Sequence, residues 1–158
     1  MIKKIVFLLL IVQLAASCET TKKSTSADGN EKATLLISYA QSAKNSTTEP
    51  EYSIELYSNK QMYLNGIRNI DKTGKYMRTL SDKEFNSLIQ SFNDANFFDF
   101  KDEYTSDAPE LLTRYVYFFN DGKEKKVKDY YGAPESLKEL EYSIQSFLDR
   151  VGWEKLSW

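Results

Sequence analysis

Four short strand-like runs in this chain come in two pairs, each joined by a short polar segment, and the runs of the first pair alternate between apolar and polar side chains. In the first pair, Ile54 and Leu56 alternate with Ser53, Glu55 and Tyr57, and Met62 and Leu64 alternate with Gln61, Tyr63 and Asn65. Only Ser58-Asn59-Lys60 separates them. The second pair is Leu112 to Phe119 and Lys125 to Tyr131, around Asn120-Asp121-Gly122. A period of two puts successive side chains on opposite faces of a strand, and a short polar turn makes two such strands antiparallel neighbours. Each pair is followed by a stripe of helical period. Phe85, Leu88, Ile89 and Phe92 fall at i, i+3, i+4 and i+7, behind a capping box formed by Ser81 and Glu84. Leu137, Leu140, Ile144, Phe147, Leu148 and Val151 form the second stripe, with Pro134 expected in the first turn and Gly152 as the stop. The expected fold is therefore α+β, an antiparallel sheet built from hairpins with two amphipathic helices packed on one face.

Further elements complete this outline. Thr34 to Tyr39 is β-branched and apolar and reads as a strand, Gln41 to Pro50 as a loop, and Lys75 to Leu80 as a third strand beside the first hairpin. Ile89-Gln90-Ser91-Phe92-Asn93-Asp94 matches Ile144-Gln145-Ser146-Phe147-Leu148-Asp149 at all but one position. The match suits either chance between two amphipathic helices or a duplicated strand-strand-helix unit.

The N-terminus reads as an address. Lys3 and Lys4 precede the apolar run Ile5 to Val12, which is far shorter than the about 20 residues a membrane-crossing helix needs. Small residues Ala15, Ala16 and Ser17 then lead to Cys18, the one cysteine of the chain. This arrangement resembles the lipobox of bacterial lipoproteins, in which residues 1–17 would be removed as a signal peptide and Cys18 would carry the acyl chains. Glu19 to Lys32 holds a single apolar side chain, Ala27, and cannot bury enough surface to offset its ordering entropy. Residues 18–32 are thus expected to be a lipidated cysteine and a disordered tether with a reach of about 20 Å. Residues 33–158 are expected to form a single domain. Glu19 in place of an aspartate after the cysteine, and the lack of an acidic run, point to the outer membrane and its periplasmic face. The membrane is the expected partner through Cys18.

Composition narrows the chemistry. The 158 residues include no histidine, which removes Ser-His and Cys-His nucleophile pairs and imidazole metal ligands. A lone cysteine supplies neither an internal disulfide nor a zinc site. Neither a Ser-x-x-Lys nor a Gly-x-Ser-x-Gly motif occurs, and there is no glycine-rich phosphate loop, so no cofactor is expected. A net charge of −2 gives no electrostatic footprint for nucleic acid. The acidic segment Asp99 to Glu110 lacks the spacing and central glycine of an EF-hand loop and reads as a solvated loop.

From about Glu49 onward, the segments Pro50-Glu51-Tyr52-Ser53-Ile54, Gly74-Lys75-Tyr76 and Asn96-Phe97-Phe98 stand out. With them go Tyr104 with Asp107, Gly122, Lys126 to Tyr130 and Gly132-Ala133-Pro134. In these features the chain resembles the domain of unknown function 6438 family of bacterial envelope lipoproteins. The resemblance implies a fold and a location; the family carries no established activity. A cysteine pair associated with the family before the proline is missing between Tyr39 and Pro50, so a redox role does not transfer.

If both hairpins share one sheet, the alternation sorts their side chains. Ile54, Leu56, Met62, Leu64, Val116, Phe118 and Val127 form an aliphatic-rich face for the helices, and Tyr57, Tyr63, Tyr115, Tyr117 and Tyr130 share the opposite face with Lys and Glu. Tyrosine is enriched at interface cores, which makes these five residues the candidate binding face. The expected function is a non-enzymatic, lipid-anchored envelope domain that binds a partner. Two alternatives are a hydrolase of envelope polysaccharide working through paired carboxylates, and a small inhibitor of a hydrolytic enzyme.

Overall fold

A computed structural model describes residues 32–43, 46–105 and 112–157. Signal segment, Cys18 and tether lie outside the described residues, apart from Lys32 at the tether's end. The strands are β1 (Leu35–Ser42), β2 (Glu51–Tyr57), β3 (Gln61–Arg68), β4 (Gly74–Thr79), β5 (Glu103–Tyr104), β6 (Thr113–Asn120), β7 (Lys123–Asp129) and β8 (Glu154–Lys155). Two helices, α1 (Asp82–Asp94) and α2 (Glu135–Gln145), follow β4 and β7. All eight strands join one sheet in the order β5-β7-β6-β1-β2-β3-β4-β8. Every pairing is antiparallel except the two-residue β5–β7 contact.

β1 sits at the centre, paired with β2 on one side and β6 on the other, and thereby joins the two hairpins. It is two-faced in a way that suits the position. Ile37 and Tyr39 are 1% and 0% exposed beneath the helices, while Ser38 and Ala40 lie on the opposite face. The strand runs on through Gln41 and Ser42, so the expected loop begins later than Gln41. Gln41 is buried because its amide is satisfied internally: its side-chain N–H donates to the Pro50 carbonyl, and its oxygen accepts from the Tyr39 hydroxyl.

The helices cover one face of this sheet. Leu88 and Phe92 from α1 and Leu137, Leu140 and Ile144 from α2 share a buried cluster with Ile54, Leu56, Met62, Leu64, Val116, Phe118 and Val127. Phe92 lies 4.7 Å ring to ring from Phe118, and Phe97 crosses Phe118 edge-on at 5.9 Å, a tilted packing that aromatic quadrupoles favour. The capping box at Ser81 is formed in both directions. Its carboxylate does more than cap: Glu84 also accepts from Arg78 on β4 and from Arg150 beyond α2. Hydrogen bonds from the Ser81 N–H and hydroxyl, with help from the arginines, hold the Glu84 carboxyl down at about 2.

Several elements differ from the expectation. Pro134 is the N-cap of α2 and not its first helical residue. The helix ends at Gln145, with Ser146 as C-cap, so Val151 leaves the apolar stripe and stands 90% exposed. Consequently the six-residue echo lies inside α1 but straddles the end of α2. In the sheet order β7-β6-β1-β2-β3-β4 a helix follows each outer strand, α2 after β7 and α1 after β4. The acidic segment is partly ordered: Phe97–Asp99 is a 3₁₀ turn and Glu103–Tyr104 is β5, tied to β7 by the Lys128–Glu103 and Lys125–Asp102 ion pairs. Residues 106–110 of it lie outside the described residues.

The β6–β7 turn places Asp121 and Gly122 at φ 49° and 76°, the left-handed pair a two-residue hairpin demands. Gly66 answers a different constraint. A Cβ there would stand 2.0 Å from the Lys72 carbonyl oxygen, where the β3–β4 connection folds back over the strand. Gly66→Ala is therefore expected to destabilise the domain by about 2 kcal/mol or more, a loss readable in chemical denaturation. An unchanged midpoint would show that the connection yields freely.

Candidate functional site

The sheet face opposite the helices carries the expected tyrosines. Strand register sets them in rows. One row runs Lys126, Tyr117, Ser38, Glu55, Tyr63 and Met77 across β7, β6, β1, β2, β3 and β4. The next runs Lys128, Tyr115, Ala40, Ser53, Asn65 and Lys75. The small side chains Ser38 and Ala40 of β1 thus lie between the tyrosines of β6 and the strands β2 and β3.

Tyr57 and Tyr63 come together as an edge-to-face pair, centroids 5.6 Å apart and planes at 87°. Each is pinned through its hydroxyl. Tyr57 donates to Glu55 at 2.9 Å and Tyr63 to the Gln61 side-chain oxygen at 2.8 Å. Partial burial, and then the bond to Glu55, raises the Tyr57 pKa. On the far side Tyr117 donates to Glu124 at 2.9 Å, and its pKa rises for the same two reasons. The Lys126 ammonium lies 4.7 Å from the Tyr115 ring centre, a cation–π contact. All four rings are half-buried. Tyr130 stands apart from these four. It lies one residue past β7, where its N–H donates to the Tyr104 carbonyl on the β5 side.

Beside the Tyr57–Tyr63 pair the open face deepens into a groove of about 480 Å³. Ser53, Glu55, Gln61, Asn65 and Lys75 line it together with the two rings, as do Lys32 and Leu156. Periodicity puts the tyrosines on this face but carries no sign of the groove, because Lys32 and Leu156 come from segments remote in the chain.

A second cluster lies on the helix side and was not anticipated. Arg114 on β6 faces Asp129 on β7 at 3.7 Å and Glu141 on α2 at 3.6 Å. Both acids are 3% exposed. Among the described residues no hydrogen-bond donor reaches Asp129 Oδ1 or Glu141 Oε1. Burial, opposed by Arg114 and reinforced by Asp129, pushes Glu141 up to about 8; burial also raises Asp129. Nearby, Gln145 donates to the Tyr39 hydroxyl at 2.6 Å, and burial pushes Tyr52 up to about 12. The signal available in the sequence was Glu141 standing in the apolar stripe of α2, one residue after Leu140. Among the described residues no group of three or more acidic or cysteine side chains could hold a metal ion, and no helix is long and apolar enough to cross a membrane.

Residues 47–148 match the family described as domain of unknown function 6438, and the chain belongs to that family. The match spans both hairpins and both helices, and so includes the tyrosines of the open face and the buried carboxyl pair, while β1 precedes it. No curated protein matches the chain.

A carboxyl whose folded pKa lies above its unfolded value near 4.5 adds stability below that value, and the contribution is lost as pH rises through about 8. Glu141→Gln fixes the neutral form. The variant is expected to match the parent near pH 4 and to exceed it above pH 8 by on the order of 3 kcal/mol. Denaturation midpoints taken between pH 4 and 9 check this, and parallel curves would contradict it.

Proposed function

We propose that this protein is a non-enzymatic binding module of the bacterial envelope, tethered by lipid at Cys18, that engages its partner through the open face of the sheet. The observation that carries the reading is the set of half-buried rings Tyr57, Tyr63, Tyr115 and Tyr117, each beside or bonded to a Lys, Glu or Gln side chain. Such rings offer contact area at low entropic cost, and their hydroxyl-bound neighbours are already oriented. The acids that the fold brings together favour this reading over a hydrolytic one. A polysaccharide-cleaving pair must reach both sides of a glycosidic bond, whereas Asp129 and Glu141 lie beneath α2 and face Arg114.

Two outcomes test the proposal. Tyr115→Ala combined with Tyr117→Ala should weaken capture of the partner in crosslinked native envelopes by tenfold or more while the domain stays folded; unchanged capture would remove the open face from the account. Mass spectrometry of the mature N-terminus should find Cys18 bearing acyl chains. A free thiol at residue 18, or cleavage elsewhere, would remove the tether.

A further inference from the structure

We infer that the groove beside Tyr57 and Tyr63 is a binding site for an oligosaccharide of pyranose rings; this rests on the reading of the open face as a binding surface and names the ligand class.

The floor of the groove is made by β2, β3 and β4, whose backbone N–H and C=O groups are committed to strand pairing. An extended peptide binds a sheet by adding to an unpaired edge, and this floor has no edge to give. Recognition here must come from side chains. Those side chains include apolar ones, the edge-to-face aromatic pair with Leu64, Tyr76 and Leu156, and a set of hydroxyl, amide and carboxylate groups in Ser53, Asn65, Gln61 and Glu55. A purely apolar ligand would strip water from the second set without replacing its hydrogen bonds. A purely polar ligand would leave the rings unused. A pyranose presents both surfaces at once, an apolar C–H face that stacks on an aromatic ring and a rim of hydroxyls that donate and accept.

The charged lining of the groove is one acid, Glu55, and two lysines, Lys32 and Lys75. Size suits the same class, since about 480 Å³ lies within the usual range for small-ligand sites. The polar groups are held ready before any ligand arrives. Gln61 accepts from Tyr63 and from the Asn59 side-chain amide, its own N–H donates to the Asn59 side-chain oxygen, and Glu55 accepts from Tyr57. That pre-ordering lowers the entropic cost of binding.

The test uses the full mature chain in a detergent without a sugar headgroup, titrated with chitotetraose and cellotetraose and read by calorimetry and amide chemical shifts. The expected result is saturable binding of at least one tetrasaccharide, with shifts confined to β2, β3 and β4. Tyr63→Ala should weaken it at least tenfold. Asn65→Ala, at an exposed position that should leave folding intact, should weaken it severalfold, and Tyr142→Ala on the far side of α2 should leave it unchanged. No saturable binding to either sugar, or binding indifferent to both Tyr63→Ala and Asn65→Ala, would overturn the inference. A photoreactive side chain at position 117, used in native envelopes, separates the two failures. Protein adducts without saccharide binding would sink the saccharide site and leave the binding face standing; neither adducts nor saccharide binding would sink both.

Discussion

The placement of β1 between the two hairpins is the constraint on which the rest depends. Each hairpin alone is a two-stranded ribbon that cannot bury both its strands and its helix. Pairing β2 and β6 to the same strand merges the two ribbons into one sheet with one apolar face, and Ile37 and Tyr39 supply the centre of that face. The helices then share a single core, in which Phe92, Phe97 and Phe118 form its most aromatic part. On the other side the same strand places the small residues Ser38 and Ala40 between the tyrosine-bearing strands. One strand thus bears on both faces of the sheet.

Much of this was legible from periodicity. Tyr52 to Asn65 alternates cleanly because one face of each strand is buried and the other is wet, and that contrast is what a sequence records. Ser81 and Glu84 were legible because a capping box is local. What escaped was non-local. The end of α2 was misplaced because Phe147 and Leu148 continue the apolar period after the helix has closed at Ser146; they pack from a turn instead. Gln41 read as loop because its polarity is satisfied by Pro50 and Tyr39 only once the strands are in place. The pairing of Arg114 with Asp129 and Glu141 joins β6, β7 and α2, and no spacing along the chain announces it.

That buried triad also separates two kinds of acidic residue. Glu84, bonded by Ser81 and flanked by Arg78 and Arg150, is held ionised and ties β4, α1 and the segment after α2 together. Glu141, sealed under its helix beside another acid, has its pKa pushed well above the usual carboxylate range. Opposite pKa displacements in one small domain follow from the same rule: hydrogen bonds and cations favour the charged form, and burial beside a like charge disfavours it. Both acids serve the helix face, which leaves the open face to the tyrosines and their polar neighbours.

The central claim is that the open sheet face is the working surface, and hydroxyl-radical footprinting of the protein in intact envelopes, compared with the purified full chain, addresses it most directly. The account predicts that Tyr57, Tyr63, Tyr115 and Tyr117 are less oxidised in the envelope than in isolation, while the exposed Tyr131 and Tyr142 react equally in both. Equal oxidation of the four sheet tyrosines in the two settings, or protection centred on Tyr142 and the helix face, would contradict it.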